Sequence, residues 1–475
     1  MIDLLSHAAG GRVVGCNDEF FAPAENLLKN TDPLWREGEY TDRGKWMDGW
    51  ETRRRREPGH DWCILALGIP GRVRRVTVDT SHFTGNYPEQ FSLEATGAAS
   101  DDMLANAIWE VLISPTKLSG DSVASFEVED SHRVTHLRLN IFPDGGVARI
   151  RAEGDPIPSI REVCPGGPVD LVSAMVGGAP VSVSDRHYSD PANVLRPTSP
   201  AGMWDGWETR RRRGPGHDWA LFRLGLAGTI EEVLVDTTHF KGNAPGSVSI
   251  EVSEDGETWT GVVGSVPVRP DAPNRVHLPA PTHARLVRLG IHPDGGVARF
   301  RIFGRPDHDD AGEKRVAYLN SLFDQEARRF FATACPVADW VEEMTANRPY
   351  RGADDVLAAA ERVFDEFGEE QWLEAFASHP RIGERGDETS AREQSEVLGA
   401  GRAILRELGE VNARYEEKYG FTYIVHASGK SAPEMLEIAT TRLGNTPDTE
   451  IAIAAKEQRA ITATRLRRML CQEQK

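Results

Sequence analysis

The sequence predicts a multidomain chain of two tandem all-β domains followed by an all-α helical domain. Three observations carry this. Long blocks recur in one order at a spacing near 150 residues, the segments between them alternate like strands, and the last third takes helical periodicity. A chain of 475 residues also fits about three domains of ordinary size.

Residues 46–62 read WMDGWETRRRREPGHDW and residues 203–219 read MWDGWETRRRRGPGHDW, an offset of 157. DTSHFTGN at 79–86 returns as DTTHFKGN at 236–243, again at 157. FPDGGVARIR at 142–151 returns as HPDGGVARFR at 292–301 at 150, so one copy carries seven extra residues between these blocks. DEFFAPAENLL (18–28) matches DRHYSDPANVL (185–195) more loosely. The period is too long for a solenoid and fits a duplicated domain. VRRVTVDTSHF, FSLEAT and THLRLNIF alternate and are rich in β-branched residues, as do EEVLVDTTHF, VSIEVS and ARLVRLGIH. Turn signals separate them, which predicts a sandwich or jelly roll in each copy, 1–160 and 168–306. The polar stretch 304–312 reads as a linker to a helical domain at 314–475. There Asn320 is placed to cap a helix holding Leu322, Phe323, Ala327, Phe330 and Phe331. Further helices are expected at 353–367, 369–377, 388–417, 431–443 and 447–470.

Lys and Arg number 55 against 73 Asp and Glu, a net charge of −18. That balance argues against nucleic acid or an anionic membrane as partner. No apolar run reaches the ~18 residues of a membrane span. The first twenty residues lack a signal-peptide pattern, and the last three are not Ser-Lys-Leu. The five cysteines, Cys16, Cys63, Cys164, Cys335 and Cys471, are scattered without CxxC spacing. A disulfide framework and a zinc ribbon both fit poorly, and a reduced cytoplasmic setting is the expectation.

The repeated blocks concentrate polar residues. In the first copy these are Asp48, Glu51, Arg53, Arg55, His60, His82, Asn86 and Arg149. Their counterparts are Asp205, Glu208, Arg210, Arg212, His217, His239, Asn243 and Arg299. Read as a strand, the arginine run puts Glu51, Arg53 and Arg55 on one face and Thr52, Arg54 and Arg56 on the other. Arginine forks suit carboxylates and carbonyls, and histidines suit proton transfer. The competing reading is structural: surface ion pairs for the arginines, core tryptophans, and turn-shaping Asp79 and Asp144. No HxH or HExxH spacing appears, so no metal is assigned.

The blocks DGWETRRRR…GHDW, DTSHFTGN/DTTHFKGN and PDGGVAR resemble allantoicase, across residues 1 to about 306. The resemblance implies two galactose-binding-like β jelly rolls that hydrolyse allantoate to ureidoglycolate and urea. Allantoate carries one carboxylate and two ureido groups, which suit the arginines and the Asp, Glu, His and Asn side chains above. One of His60, His82, His217 and His239 is expected to assist proton transfer, and all sixteen residues stand as substrate-binding candidates.

In the last third, AFASHPRIGERGDETSAREQSEV spans 375–397. Pro380 disfavours helix at His379, so the chain is expected to break there and expose the imidazole. Ser390 and Glu393 make an i,i+3 pair or, equally, a capping box. SHPRIGE, SAREQ, NARYEEKYGFTYIV and RLGNTPDTEIAIAAKEQRAITATRL resemble 2-oxo-4-hydroxy-4-carboxy-5-ureidoimidazoline (OHCU) decarboxylase, over roughly 314–475. That resemblance implies an all-α, cofactor-free enzyme making S-allantoin. Its catalytic residues fall on His379, Glu393 and Arg465, although Arg467 and Arg468 lie close by. Pro380, Ser390, Gln394, Phe421 and Ile424 would line the pocket.

Both resemblances point to ureide catabolism. They imply small ureide substrates, no cofactor, and a homo-oligomer. The intervening hydrolysis of allantoin to allantoate has no candidate in the chain, so the expected benefit of fusion is co-expression rather than channelling. The alternative reading is a decarboxylase carrying a non-catalytic, carbohydrate-binding β module.

Overall fold

The computed structural model describes residues 2–129, 132–163, 166–379 and 402–471. It forms two compact units, Met1–Phe323 and Asp324–Lys475. The first is built of antiparallel β-sheets and holds both repeats; the second is helical.

In each repeat a 19-residue strand, Asp61–Asp79 or Asp218–Asp236, runs through the whole sheet. The first half of Asp61–Asp79 lies between Arg12–Cys16 and Arg133–Phe142. Its second half lies between Val123–Glu127 and Arg149–Pro156. The change of partners falls at Gly68-Ile69-Pro70-Gly71. A side chain on Gly71 would run into the Asp155 carbonyl, so only glycine lets the two neighbouring strands approach here. Alternation then sorts the residues: Cys63, Leu65, Leu93, Leu137 and Leu139 are buried in the core. The neighbouring Trp62, Ile64, Glu94 and Arg138 face outward and are half-buried.

The shifts in repeat offset have structural causes. The connection after Gln90–Thr96 takes residues 97–109, whereas that after Ser247–Ser253 takes only 254–259, which accounts for the seven extra residues. The longer loop is anchored by Asp101, which accepts from Arg12 at 2.7 Å and His136 at 3.1 Å. The first repeat also carries a hairpin, Tyr40–Thr41 with Gly44–Lys45.

The predicted linker is ordered structure. Residues 299–306 are a strand, and His308–Ser321 is a helix belonging to the β unit. The acidic residues read as linker instead start this helix, and Asp310 accepts from the Ala227 backbone N–H at 2.9 Å. Asn320 is therefore in a last helical turn. The next helix begins at Asp324, after a break at Leu322-Phe323.

The helical unit comprises Asp324–Ala334, Ala338–Ala346, Ala353–Asp365, Glu369–Ala377, Arg402–Tyr419, Ala432–Arg442 and Pro447–Met469 among the described residues. A run of aromatic contacts ties them together: Phe331–Trp340 at 5.8 Å, Trp340–Phe364 at 5.7 Å, Phe364–Trp372 at 5.4 Å and Phe376–Phe421 at 5.0 Å. Such pairs add to the burial of large apolar area. They fix the end of Glu369–Ala377, directly before His379. Cys16, Cys63 and Cys335 are free thiols. Among the described residues no helix is long and apolar enough to cross a membrane.

Candidate active sites

The three repeated blocks, far apart in sequence, meet at one corner of each repeat. Trp50–Glu51 pairs with Gly146–Val147. Thr52 exchanges hydrogen bonds with Gly145, its N–H donating at 3.1 Å and its Oγ1 accepting at 3.1 Å. The Gly146 N–H donates to the Asn86 carbonyl at 2.7 Å, and the Phe83 ring leaves no space for a side chain on Gly146. The second repeat reproduces this with Trp207–Glu208, Gly296–Val297 and Asn243. Each corner is completed by its own repeat.

Two of the predicted residues come together there. The Asn86 Nδ2 donates to Glu51 Oε1 at 2.6 Å, and the Asn243 Nδ2 donates to Glu208 Oε1 at 2.7 Å. Neither glutamate forms an ion pair among the described residues. Burial pushes the Glu51 carboxyl up, and the Asn86 amide only partly offsets it. A half-buried carboxylate without a cation is suited to taking a proton.

Four predicted ligand residues are instead framework. Arg149 is 3% exposed and Asp48 is 2% exposed, joined at 2.7 Å. The rest of the Arg149 fork donates to the carbonyls of Thr31 (3.0 Å), Asp48 (2.7 Å), Ala148 (2.8 Å) and Asp32 (3.3 Å). Lys29 donates to the other Asp48 oxygen at 2.6 Å. Burial pushes Asp48 up, but Lys29 and Arg149 together hold it below its ordinary value. Arg299, Asp205 and Arg196 repeat the arrangement at 2.6 Å each. Every donor and carboxylate oxygen of these pairs is occupied, which leaves no group for a ligand.

This latch bears on the histidines. Arg149 pins the Thr31-Asp32 backbone, and the next carbonyl, that of Pro33, accepts from His82 Nε2 at 3.2 Å. Arg299 pins Thr198 and Ser199, and the Pro200 carbonyl accepts from His239 Nε2 at 3.0 Å. A carbonyl only accepts, so in both rings Nε2 carries a proton. Both histidines hold a positive φ, 71° and 74°, their N–H groups fixed at 2.8 Å by Asp121 and Asp271. Strain of this kind costs energy and is retained where position matters.

The arginine run is not a strand beyond Glu51, and it lines no common pocket. Arg53 turns to Asp18 at 2.6 Å and Arg210 to Asp185 at 2.8 Å, both at the surface. Arg55 binds Asp61 at 2.7 Å while Asp144 takes its backbone N–H, and Arg212 pairs with Asp218. Acidic residues outside the run captured side chains that alternation had put together. His60 and His217 lie elsewhere: His60 packs on Phe142 at 4.8 Å and His217 on His292 at 4.2 Å. Among the described residues no group of three or more His, Cys, Asp or Glu side chains is arranged to hold a metal.

In the helical unit Pro380, Ser390, Glu393 and Gln394 lie outside the described residues. His379 follows the end of Glu369–Ala377, and its Nε2 lies 2.7 Å from Gln458 Oε1. Gln458 is fully buried on Pro447–Met469, and its Nε2 donates to Thr462 at 3.3 Å. Gln458, Thr462 and Arg465 fall at i, i+4 and i+7 on one buried face. Arg465 is the inward arginine, donating to the Ala334 carbonyl at 3.3 Å, while Arg467 is exposed and Arg468 half-buried. Phe421 packs on Phe376 at 5.0 Å, and the Ile424 carbonyl accepts from Arg442 at 2.7 Å. Sequence reasoning missed Gln458. Its only signal was a polar residue on the same helical face as Arg465. Gln458→Leu is expected to lower decarboxylation kcat about tenfold with KM unchanged, with Gln458→Glu largely restoring it; steady-state kinetics check both.

A duplicated antiparallel β scaffold with one carboxylate–amide couple per repeat, joined to a helical unit with a histidine–arginine face, defines a two-part enzyme. The family model for the allantoicase repeat matches residues 2–157 and 169–307, and that for OHCU decarboxylase matches residues 320–467. A probable allantoicase of Pseudomonas paraeruginosa is 43% identical over 318 residues, covering 64% of this chain and 96% of that protein. A probable allantoicase of Acinetobacter baumannii is 40% identical over 309 residues, 62% of this chain and 91% of that protein. The crystal structure of allantoicase from Saccharomyces cerevisiae aligns with a TM-score of 0.55 at 34% identity, covering 64% of this chain and 92% of that one. The chain belongs to the allantoicase family, with an OHCU decarboxylase domain fused behind its two repeats.

Proposed function

We propose that the β unit hydrolyses allantoate to ureidoglycolate and urea at the Glu51–Asn86 and Glu208–Asn243 corners, while the helical unit decarboxylates OHCU to S-allantoin around His379 and Arg465. The observation that carries the first assignment is the same cation-free, half-buried carboxylate–amide couple in both repeats. In this reading the glutamate takes a proton from water as its oxygen bonds to the methine carbon of allantoate. The C–N bond to one ureido group breaks, and the glutamic acid returns its proton to the departing nitrogen, which leaves as urea and restores the carboxylate. The asparagine amide fixes the carboxylate.

The decarboxylation needs no external electron sink. As the bond to the carboxylate breaks, the electron pair passes into the adjacent ring C=N. Delivery of a proton to one face of carbon then sets the S configuration. His379, held by Gln458, is suited to that transfer, and Arg465 to an anionic or carbonyl oxygen. From the two resemblances we place the enzyme in the cytoplasm as a homo-oligomer, which light scattering tests for assembly.

The catalytic test for the β unit is Glu51→Gln combined with Glu208→Gln. Urea release is expected to fall about 100-fold while decarboxylation is unchanged. Because the base must be ionised and burial raises Glu51 above its ordinary 4.5, wild-type urea release should fall as pH drops through that raised value. Unchanged urea release in the double variant rejects the assignment.

A further inference from the structure

We propose that the first repeat holds a second small-molecule site, a groove on the outer sheet face that binds a planar ureido or carboxamide compound bearing an anionic or carbonyl oxygen. The site lies apart from the Glu51–Asn86 couple in composition and uses none of its groups.

The groove encloses about 560 Å³ and is walled by His60, Trp62, Glu94, Arg138, Asn140 and Phe142 among others. Strand register explains why these residues meet. Arg138 stands opposite Ile64 on one side and Glu94 on the other, and Asn140 stands opposite Trp62 and Ser92. All therefore emerge on the outer face of three adjacent strands. Arg138 Nε donates to Glu94 at 2.6 Å, and its guanidinium lies 4.7 Å from the Trp109 ring centre. Its terminal N–H groups make no hydrogen bond among the described residues.

Asn140 supplies the decisive detail. It is 5% exposed, and its Nδ2 donates to Glu94 at 2.9 Å and Ser92 at 3.2 Å. A carboxylate only accepts, so the amide nitrogen must face Glu94, and Oδ1 is the end of the amide left over. That Oδ1 is buried without a partner, a state that costs about 1–3 kcal/mol unless something donates to it. The wall of the groove therefore holds an acceptor that lacks a donor, and Arg138 presents guanidinium N–H groups beside it. The rings of Trp62, His60 and Phe142 flank them. A planar group with N–H and C=O edges answers all three demands. A sugar hydroxyl answers only the polar ones, and the cation favours an anionic ligand.

The second repeat keeps the frame but not the site. Arg288, Glu251 and Trp219 persist, with Arg288 donating to Glu251 at 3.0 Å. Gly290 replaces Asn140, however, and Ser249 and His217 occupy the place a side chain would take. His292 replaces Phe142 and is spent on Ser249 at 2.9 Å and on the His217 ring. The two copies thus diverged on this face while their corners stayed alike.

The test is isothermal titration of the full chain with N-carbamoylglycine and, separately, with galactose. Wild type is expected to bind N-carbamoylglycine. Asn140→Leu and Arg138→Met are each expected to weaken that binding event at least tenfold, with urea release from allantoate within twofold of wild type. If Asn140→Leu does not fold, Arg138→Met, at the half-exposed rim, decides alone. The proposal is overturned if N-carbamoylglycine does not bind, if both variants bind it as wild type does, or if galactose shows the Asn140 dependence instead. Failure of the corner assignment appears separately, in the urea assay of the Glu51→Gln and Glu208→Gln variant.

Discussion

His379→Ala is expected to lower the turnover of OHCU decarboxylation by roughly 10²–10⁴-fold, the range for a positioned proton donor, while urea release stays at the wild-type rate. The geometry makes this a local loss. His379 N–H donates to the Phe376 carbonyl at 3.2 Å at the end of its helix, so alanine there preserves the backbone bond and removes only the imidazole. Gln458 then loses its partner at 2.7 Å, but it keeps Thr462. Allantoin formation should become slow, and circular dichroism of the product should show the excess of one enantiomer falling, because no residue delivers the proton to one face. A variant that is slow but still fully stereoselective would move the proton donor to another residue.

Arg149→Met is expected to destabilise the β unit by about 3–5 kcal/mol, the cost of leaving one member of a buried pair alone. Asp48 would keep Lys29, whose side chain is 39% exposed, and four backbone carbonyls would lose their shared donor. Arg299→Met should match it, since Asp205 and Arg299 are equally enclosed. The control is Arg53→Ala. The Arg53–Asp18 pair has an arginine 63% exposed, and such pairs contribute below about 1 kcal/mol. Denaturant unfolding followed by tryptophan fluorescence separates the cases. The pH dependence has a definite sign. Asp48 is depressed in the folded state, so its contribution is complete above the ordinary aspartate value, about 4. It is lost as pH falls through the lower folded value. Acid unfolding of wild type should therefore steepen below about pH 4, and Asp48→Asn should flatten that limb. Equal stability of Arg149→Met and Arg53→Ala would show that the latch is not structural.

The repeated blocks identified the duplication, and three of them meet at one corner of each repeat. They did not separate framework from site. Asp48 and Arg149 carry the same charges as Glu51 and Arg53, and only burial distinguishes them. Alternation put Arg53 and Arg55 on one face, but the strand ends at Glu51, and alternation could not foresee Asp18 and Asp61. The helical periods were well placed from Ala353 to Ala377 and from Ala432 to Met469. The polar run at 304–312 was misread because acidic residues favour helix starts as well as linkers.

What the sequence alone determined is what local order and repetition encode: two β copies, a helical third and the family motifs. Tertiary structure decided which groups remain free. Arg149 is spent on Asp48 and four carbonyls, and the Ile424 carbonyl accepts from Arg442. Among the described residues Glu51 keeps a carboxylate without a cation, and Asn140 keeps an oxygen without a donor. The physical reason is that a polar group's chemistry depends on partners brought from as far as 118 residues away, and strand register and helix packing choose those partners.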